Sequence, residues 1–197
     1  MLEDKKISNS EESLFIITQM IQSAKTDIRA GSFYYLLWGW LIILILSGIF
    51  FLEKYTQVVH TEWLWLFIVI GVIASGIYGY KQGKNEKSIT YAGRLYMWVW
   101  MGFAISYAGI VFLLIAGEQY WYIGPVVLIL AGYATFLSGI IIKFRPLIVG
   151  AVLFWVLGIV AWFVHSEFTF LIEALAILCG YLIPGYMLKY KENNESV

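Results

Sequence analysis

The amino-acid sequence predicts an all-α fold: a polytopic membrane helix bundle of six transmembrane helices with an N-terminal cytoplasmic amphipathic helix. The first observation is composition, because 61% of the 197 residues are hydrophobic and 13% are charged, against about half and about a quarter in soluble domains. The second is a set of six apolar runs of 18–22 residues. The third is that basic residues gather in alternate connections. A soluble fold of this length could not bury so much apolar surface, so lipid is the expected solvent.

Each apolar run is long enough to cross roughly 30 Å of hydrocarbon as an α-helix. A helix is favoured over a strand because backbone groups in lipid must find partners within their own segment. Spanning strands would also be about ten residues long and alternate in polarity. The runs define a transmembrane bundle over 33–188, followed by a cytoplasmic tail over 189–197. They are 33–52, 63–80, 95–116, 122–142, 146–164 and 168–188.

The basic residues predict the orientation of the bundle. The polar loop 81–94, KQGKNEKSITYAGR, holds four of them between the second and third spans. If the N-terminus is inside, twelve of the thirteen lysines and arginines lie on the inner side, and only Lys54 lies outside. Because cytoplasmic connections carry the excess of lysine and arginine, both termini are expected in the cytoplasm.

The region before the first span divides into two parts. Residues 1–10 are short, polar and mixed in charge, which is typical of a disordered tail. Residues 11–30 are predicted to form an amphipathic cytoplasmic or interfacial helix, because their apolar residues recur at spacings of three and four in one stripe. This stripe is the candidate partner face; it could lie in the membrane interface, pack on the bundle's own loops, or pair with a partner helix. Its residues are Leu14, Ile17, Ile21, Ala24 and Ile28.

Small residues at four-residue spacing predict close helix packing, within the bundle or between copies of the chain. The last of these ridges contains Gly180, four residues before Pro184. Pro184 cannot donate a hydrogen bond to the carbonyl of Gly180, so a kink is expected there. Gly180 and Pro184 are therefore the candidate hinge, the alternative being a kink of fixed shape. The ridges are Gly71, Ser75 and Gly79; Ala131, Thr135 and Gly139; and Ala176 and Gly180.

Glu173 is the strongest single candidate for a functional residue, because it lies about one and a half turns into the sixth span. A carboxylate within a membrane span is a functional hypothesis by default. The alternative is an interfacial carboxylate that reaches the headgroups or the outer water.

Both histidines and several acids are predicted at the outer side with Glu173. Carboxylates and imidazoles can bind a divalent cation or relay protons. Positive-inside sorting alone would also leave acids outside, where water solvates them. Because these residues have no close ligand spacing, whether a metal binds is left open. The candidate transport or ion site consists of Glu173, His165, Glu167, His60 and Glu62.

Catalytic motifs are absent from the sequence. It has no phosphate loop, no zinc-protease motif and no dinucleotide fingerprint, so no enzyme activity, catalytic residue or cofactor is predicted. The zero net charge argues against a nucleic-acid partner. The expected partners are the lipid bilayer and either another protein or a second copy of the chain.

Three segments resemble an uncharacterised family of small bacterial integral membrane proteins with about six spans. They are 32–40 (SFYYLLWGW), 144–150 (FRPLIVG) and 180–186 (GYLIPGY). The resemblance runs from the amphipathic helix to the last span. It implies a multi-pass protein of the bacterial cytoplasmic (inner) membrane, and it provides no catalytic residue.

Two functions are consistent with these observations. The first is a non-enzymatic regulatory or scaffold component of the membrane, which predicts a filled bundle. The second is a small transporter or channel for a proton, cation or small solute that uses Glu173 and the outer histidines and glutamates. It predicts a cavity that reaches the middle of the membrane.

Overall fold

The computed structural model describes residues 31–56, 61–85 and 91–194. Within these ranges the chain is all-α, and six helices are long and apolar enough to cross a membrane. The predictions of an all-α fold and of six helices long and apolar enough to span a membrane are therefore confirmed for the described residues. The amphipathic helix predicted at 11–30 lies outside them. The helices are α1 (Gly31–Tyr55), α2 (Phe67–Asn85), α3 (Tyr91–Ala116), α4 (Ile123–Ile141), α5 (Arg145–Phe163), α6 (Phe168–Ile177) and α7 (Ile183–Asn194).

Short irregular turns complete three of the spans. A 3₁₀ turn at Glu62–Leu66 leads into α2, and another at Tyr120–Tyr122 leads into α4. A π-helical turn at Leu178–Leu182 joins α6 to α7, so that the sixth span runs over Phe168–Asn194. The helices also extend beyond the apolar runs into the polar loop 81–94, because lysine, glutamine and arginine are good helix formers.

The connections on either side of α4 are tight corners with the same backbone geometry. Glu118 and Lys143 have left-handed φ angles of 57° and 53°. After each, an N–H reaches back to the last turn of the helix, from Gln119 to the Leu114 carbonyl (2.8 Å) and from Phe144 to the Gly139 carbonyl (2.9 Å). These bonds use carbonyls that a helix end would leave unpaired. These tight corners make α3 and α4, and α4 and α5, antiparallel hairpins.

The α4–α5 hairpin packs most closely and, with α1 and the α6–α7 span, forms the centre of the bundle. The core of the bundle contains large side chains with almost no exposure, including Tyr35 (1%), Leu147 (0%) and Phe154 (0%). α2 packs against α1, and α3 packs against α4. The two helices therefore lie at the periphery and leave most of their apolar side chains exposed.

The predicted small-residue ridge on α2 lies against α1, which confirms internal packing for that ridge. A Cβ atom on Gly71 would lie 3.1 Å from the Leu41 side chain. The Ser75 hydroxyl accepts a hydrogen bond from the Trp38 indole at 3.1 Å. Small residues thus let the two helices approach and leave room for one interhelical hydrogen bond.

The region of the candidate hinge contains a π-helical turn rather than a break in the helix. The N–H of Ile183 donates to the Leu178 carbonyl, five residues earlier. This wider turn stands directly before Pro184, whose ring cannot continue the normal hydrogen-bond ladder. Gly180 packs against α5, because a Cβ at this position would lie 2.5 Å from the Phe154 ring. This geometry does not show movement at Gly180 or Pro184, and the hinge stays a prediction.

Candidate functional site

Glu173 lies on the buried stripe of α6, in the interior of the bundle. The helix begins after a tight connection, in which the Thr169 N–H donates to the Ser166 carbonyl at 2.9 Å. Thr169 is buried, and Glu173 follows it one turn later on the same face, before buried Ala176. The Glu173 side chain is only 6% exposed. It is therefore enclosed by protein and does not project from the outside of the bundle.

The Glu173 carboxyl group lies in a notch at the first turn of α4. The floor of the notch is Gly124, where a Cβ atom would overlap the carboxyl carbon and both carboxyl oxygens of Glu173. The next residue, Pro125, is buried and suits the first turn of a helix, where an N–H has no partner within the helix. A glycine at position 124 is thus required for the carboxyl group to occupy this position.

The Glu173 carboxyl group has no polar partner in the described part of the chain. None of the hydrogen bonds or ion pairs among these residues includes it. This is unusual, since buried carboxyl groups are normally paired or hydrogen-bonded. The arrangement can hold a neutral carboxylic acid more easily than a carboxylate, because burying an unpaired charge is costly.

Glu167, a second candidate site residue, forms an ion pair instead. Its Oε1 lies 2.8 Å from Lys54 Nζ, and the same ammonium group lies 4.6 Å from the centre of the Phe168 ring. The hydrogen bond from Lys54 lowers the pKa of Glu167 below its ordinary value. Lys54 is the one basic residue predicted at the outer side, and it joins the end of α1 to the start of α6.

The other outer candidates are not brought to Glu173. His165 is exposed, and its Nε2 lies 3.4 Å from the Tyr122 hydroxyl. Glu62 begins the 3₁₀ turn before α2, and its side chain, like all of His60, lies outside the described part. Within that part, no group of three or more histidine, cysteine, aspartate or glutamate side chains could hold a metal ion. The residues of the predicted site that the structure describes therefore do not converge, and each makes its own separate contacts.

A buried cluster of hydroxyl and aromatic groups was not predicted from the sequence. The Tyr96 hydroxyl donates to the Tyr35 hydroxyl at 3.3 Å, and the Tyr35 ring lies 5.5 Å from that of Tyr181. Trp100 packs beside them with its ring 6.3 Å from Tyr35. Because 18% of the chain is aromatic, no sequence signal separates these residues from lipid-facing aromatics.

A cleft of about 240 Å³ lies between α3 and α4. Its walls include Trp98, Phe103 and Tyr133, and Gly102 and Ser106 widen it on the α3 side. It opens at the side of the bundle, and none of its lining residues belongs to α6. The cleft is thus separate from the notch that holds Glu173.

The fold defines the class of protein, because its six long apolar helices indicate a multi-pass membrane protein. No protein-family model, curated protein or solved structure matches the chain significantly. The resemblance to a bacterial membrane protein family stays a prediction.

Proposed function

We propose that this chain is a non-enzymatic regulatory or scaffold component of the bacterial cytoplasmic membrane. The main support for this proposal is the filled interior of the bundle. Tyr35, Leu147 and Phe154 meet at its centre with at most 1% exposure, so a continuous path along the axis would require this core to separate. A scaffold needs a rigid, well-packed bundle, whereas a channel needs a path lined by polar groups.

The proposed orientation places both termini in the cytoplasm. Ser32 near the start of α1 contacts Glu192 near the end of α7, and Lys191 Nζ lies 5.9 Å from the Phe144 ring between α4 and α5. The start of α1, the α4–α5 connection and the end of α7 therefore share one end of the bundle. The basic residues of that end support a cytoplasmic location.

Cysteine labelling in intact cells tests this orientation in a Cys179→Ser background. A membrane-impermeant thiol reagent should label Glu118→Cys in intact cells, and Lys84→Cys only after permeabilisation. The reverse pattern would show that the bundle is inverted.

A scaffold of this shape would act through the N-terminal helix, because the described connections are too short to hold a soluble domain. We propose the stripe that contains Ile17 and Ile21 as the face for a protein partner. The test is cross-linking in native membranes, with Ile21→Asp compared with Gln22→Asp on the polar side of the same helix. Cross-linked products should be lost only in Ile21→Asp, with insertion unchanged in both variants. Equal cross-linking in all three proteins would overturn the proposal.

A small transporter or channel is the second candidate function, and the buried, unpartnered carboxyl group of Glu173 favours it. Ionisable groups inside membrane bundles often mark proton or ion paths. Purified protein in liposomes with an internal pH dye would then show proton flux that Glu173→Gln abolishes and Glu118→Gln retains. Flux of this kind would replace the scaffold proposal, whereas its absence would favour the scaffold.

A further inference from the structure

We propose that Glu173 is a proton-binding site: its carboxyl group holds a proton at neutral pH while it lies in the Gly124 notch, and it ionises only when it leaves the notch. This inference goes beyond the scaffold proposal and does not depend on any partner. It concerns a state of the folded bundle itself. Its ligand is a proton, because a single carboxyl group without further oxygen ligands does not form a metal site.

The shape of the notch supports a fixed position for the carboxyl group. Glu173 is held on the buried stripe of α6, and its carboxyl group occupies the space that a Cβ atom at position 124 would need. Thr169 and Ala176, one turn to either side on the stripe, are themselves buried. Water therefore has little access to solvate a charge at this position.

No cation in the described residues compensates a charge on Glu173. The helices packed against α6 are α1, α4 and α5, together with the π-helical turn, and their charged residues lie near helix ends. Lys54 forms an ion pair with Glu167, and Glu53 accepts a hydrogen bond from Thr61. Arg145 begins α5 at the opposite end of the bundle. The remaining titratable groups of these elements and their outer connections are Tyr34, Tyr35, Tyr55, Glu118, Tyr120, Tyr122, Tyr133, His165, Cys179 and Tyr181.

The chemical consequence is a preference for the neutral acid. An unpaired carboxylate in an apolar interior costs far more than the same group protonated. Because no donor among the described residues contacts the Glu173 oxygens and no counter-ion among them faces these oxygens, the folded state is more stable when the carboxyl group keeps its proton. Ionisation must then be coupled to movement of the carboxyl group out of the notch, into water that enters as α6 and α4 separate.

Infrared difference spectroscopy of the full chain in lipid nanodiscs tests the proposal. The carboxylic-acid C=O band should be present in the wild type at pH 7, absent in Glu173→Gln, and unchanged in Glu118→Gln, which alters an exposed carboxyl group. If the wild type and Glu173→Gln show the same carboxylic-acid bands at this pH, Glu173 is ionised and the proposal is wrong. Neither result depends on cross-linking to a partner.

Stability measured against pH gives a second test, in which the wild type is compared with Glu173→Gln. The folded state binds a proton that the unfolded state lacks above about pH 4.3, so stability should fall as pH rises. One such proton corresponds to a tenfold fall in the folding equilibrium constant per pH unit. Between pH 5 and 7 the wild type should show this slope, and Glu173→Gln should not. A wild type whose stability is constant or rises over this range would contradict the proposal.

Discussion

Ser32 and Glu192 join the first and the last helix of the bundle across 160 positions of sequence. The Ser32 hydroxyl donates to Glu192 Oε2 at 2.5 Å, and its backbone N–H lies 3.4 Å from Oε1. Both residues are buried. Because the first N–H groups of a helix have no partner within it, a carboxylate at this position satisfies a donor and also interacts favourably with the dipole of α1.

Removal of this contact should destabilise the bundle. We expect Ser32→Ala and Glu192→Gln each to lower the free energy of unfolding by about 1–3 kcal/mol, since the first takes away a buried hydrogen bond to a charged group and the second takes away the charge that strengthens it. Unfolding in mixed detergent micelles measures the change. The matched control is Glu118→Gln, an exposed carboxyl group with an expected change within about 0.5 kcal/mol.

The double variant shows whether the two residues act together. Its loss of stability should be smaller than the sum of the two single losses, because both substitutions weaken the same hydrogen bond. Strictly additive losses would mean that the contact contributes nothing to stability.

At the other end of the bundle, the Lys54–Glu167 pair should contribute weakly and depend on pH. Lys54 lowers the pKa of Glu167 in the folded state, so the contribution is present at neutral pH and is lost as pH falls below the ordinary glutamate range. Lys54→Met should therefore raise the pKa of Glu167, measured by NMR of its side-chain carboxyl carbon.

Salt provides the control for this pair, because the partners are about one-third exposed. High salt should reduce the difference between wild type and Lys54→Met. A Glu167 pKa that is equal in the two proteins at low salt would show that the ion pair does not form.

The close contact between Gly150 on α5 and the π-helical turn should not tolerate a side chain. A Cβ atom on Gly150 would lie 2.8 Å from the Gly180 carbonyl oxygen and 3.0 Å from its Cα. Both are backbone atoms, so one of the helices would have to move. Gly150→Ala should cost about 1–3 kcal/mol of unfolding free energy, as overpacking of a well-packed core does.

Gly76 on α2 provides the matched control, because a Cβ atom there would meet nothing within 4 Å. Gly76→Ala should be neutral or stabilising by up to about 1 kcal/mol, since alanine favours the helix. Thermal unfolding in detergent compares the two variants. Equal effects would show that the packing at Gly150 is looser than the structure indicates.

The spans could be predicted because length and apolarity are local properties of the sequence. The helix ends were harder to predict: α2 and α3 continue into the polar loop 81–94, where helix formation does not need an apolar side chain. Pro184 indicated a disturbed helix, but the π-helical turn at Leu178–Leu182 depends on contact with α5. That contact is a tertiary property, and no local pattern contains it.

The candidate site was predicted in part. The position of Glu173 within the last span was evident, and its four-residue spacing from buried Thr169 is a signal that it faces the interior. Its packing against Gly124, 49 positions earlier in the sequence, could not be found, because many glycines in the spans are equally placed for such contact. The pairing of Lys54 with Glu167 likewise follows only from the neighbouring positions of α1 and α6.

The packing of Glu173 against Gly124 predicts a size exchange between the two positions. Gly124→Ala should destabilise the bundle by about 1 kcal/mol, the low end of overpacking costs, because the new methyl group would displace the end of a flexible side chain from its buried position. In Glu173→Ala the carboxyl group is removed, and the added methyl group then has room. The double variant Gly124→Ala/Glu173→Ala should therefore be more stable than the sum of the single changes predicts, as measured by unfolding in mixed micelles. Additive losses would show that the two side chains do not share this space, and would remove the basis for a carboxyl group held in the notch.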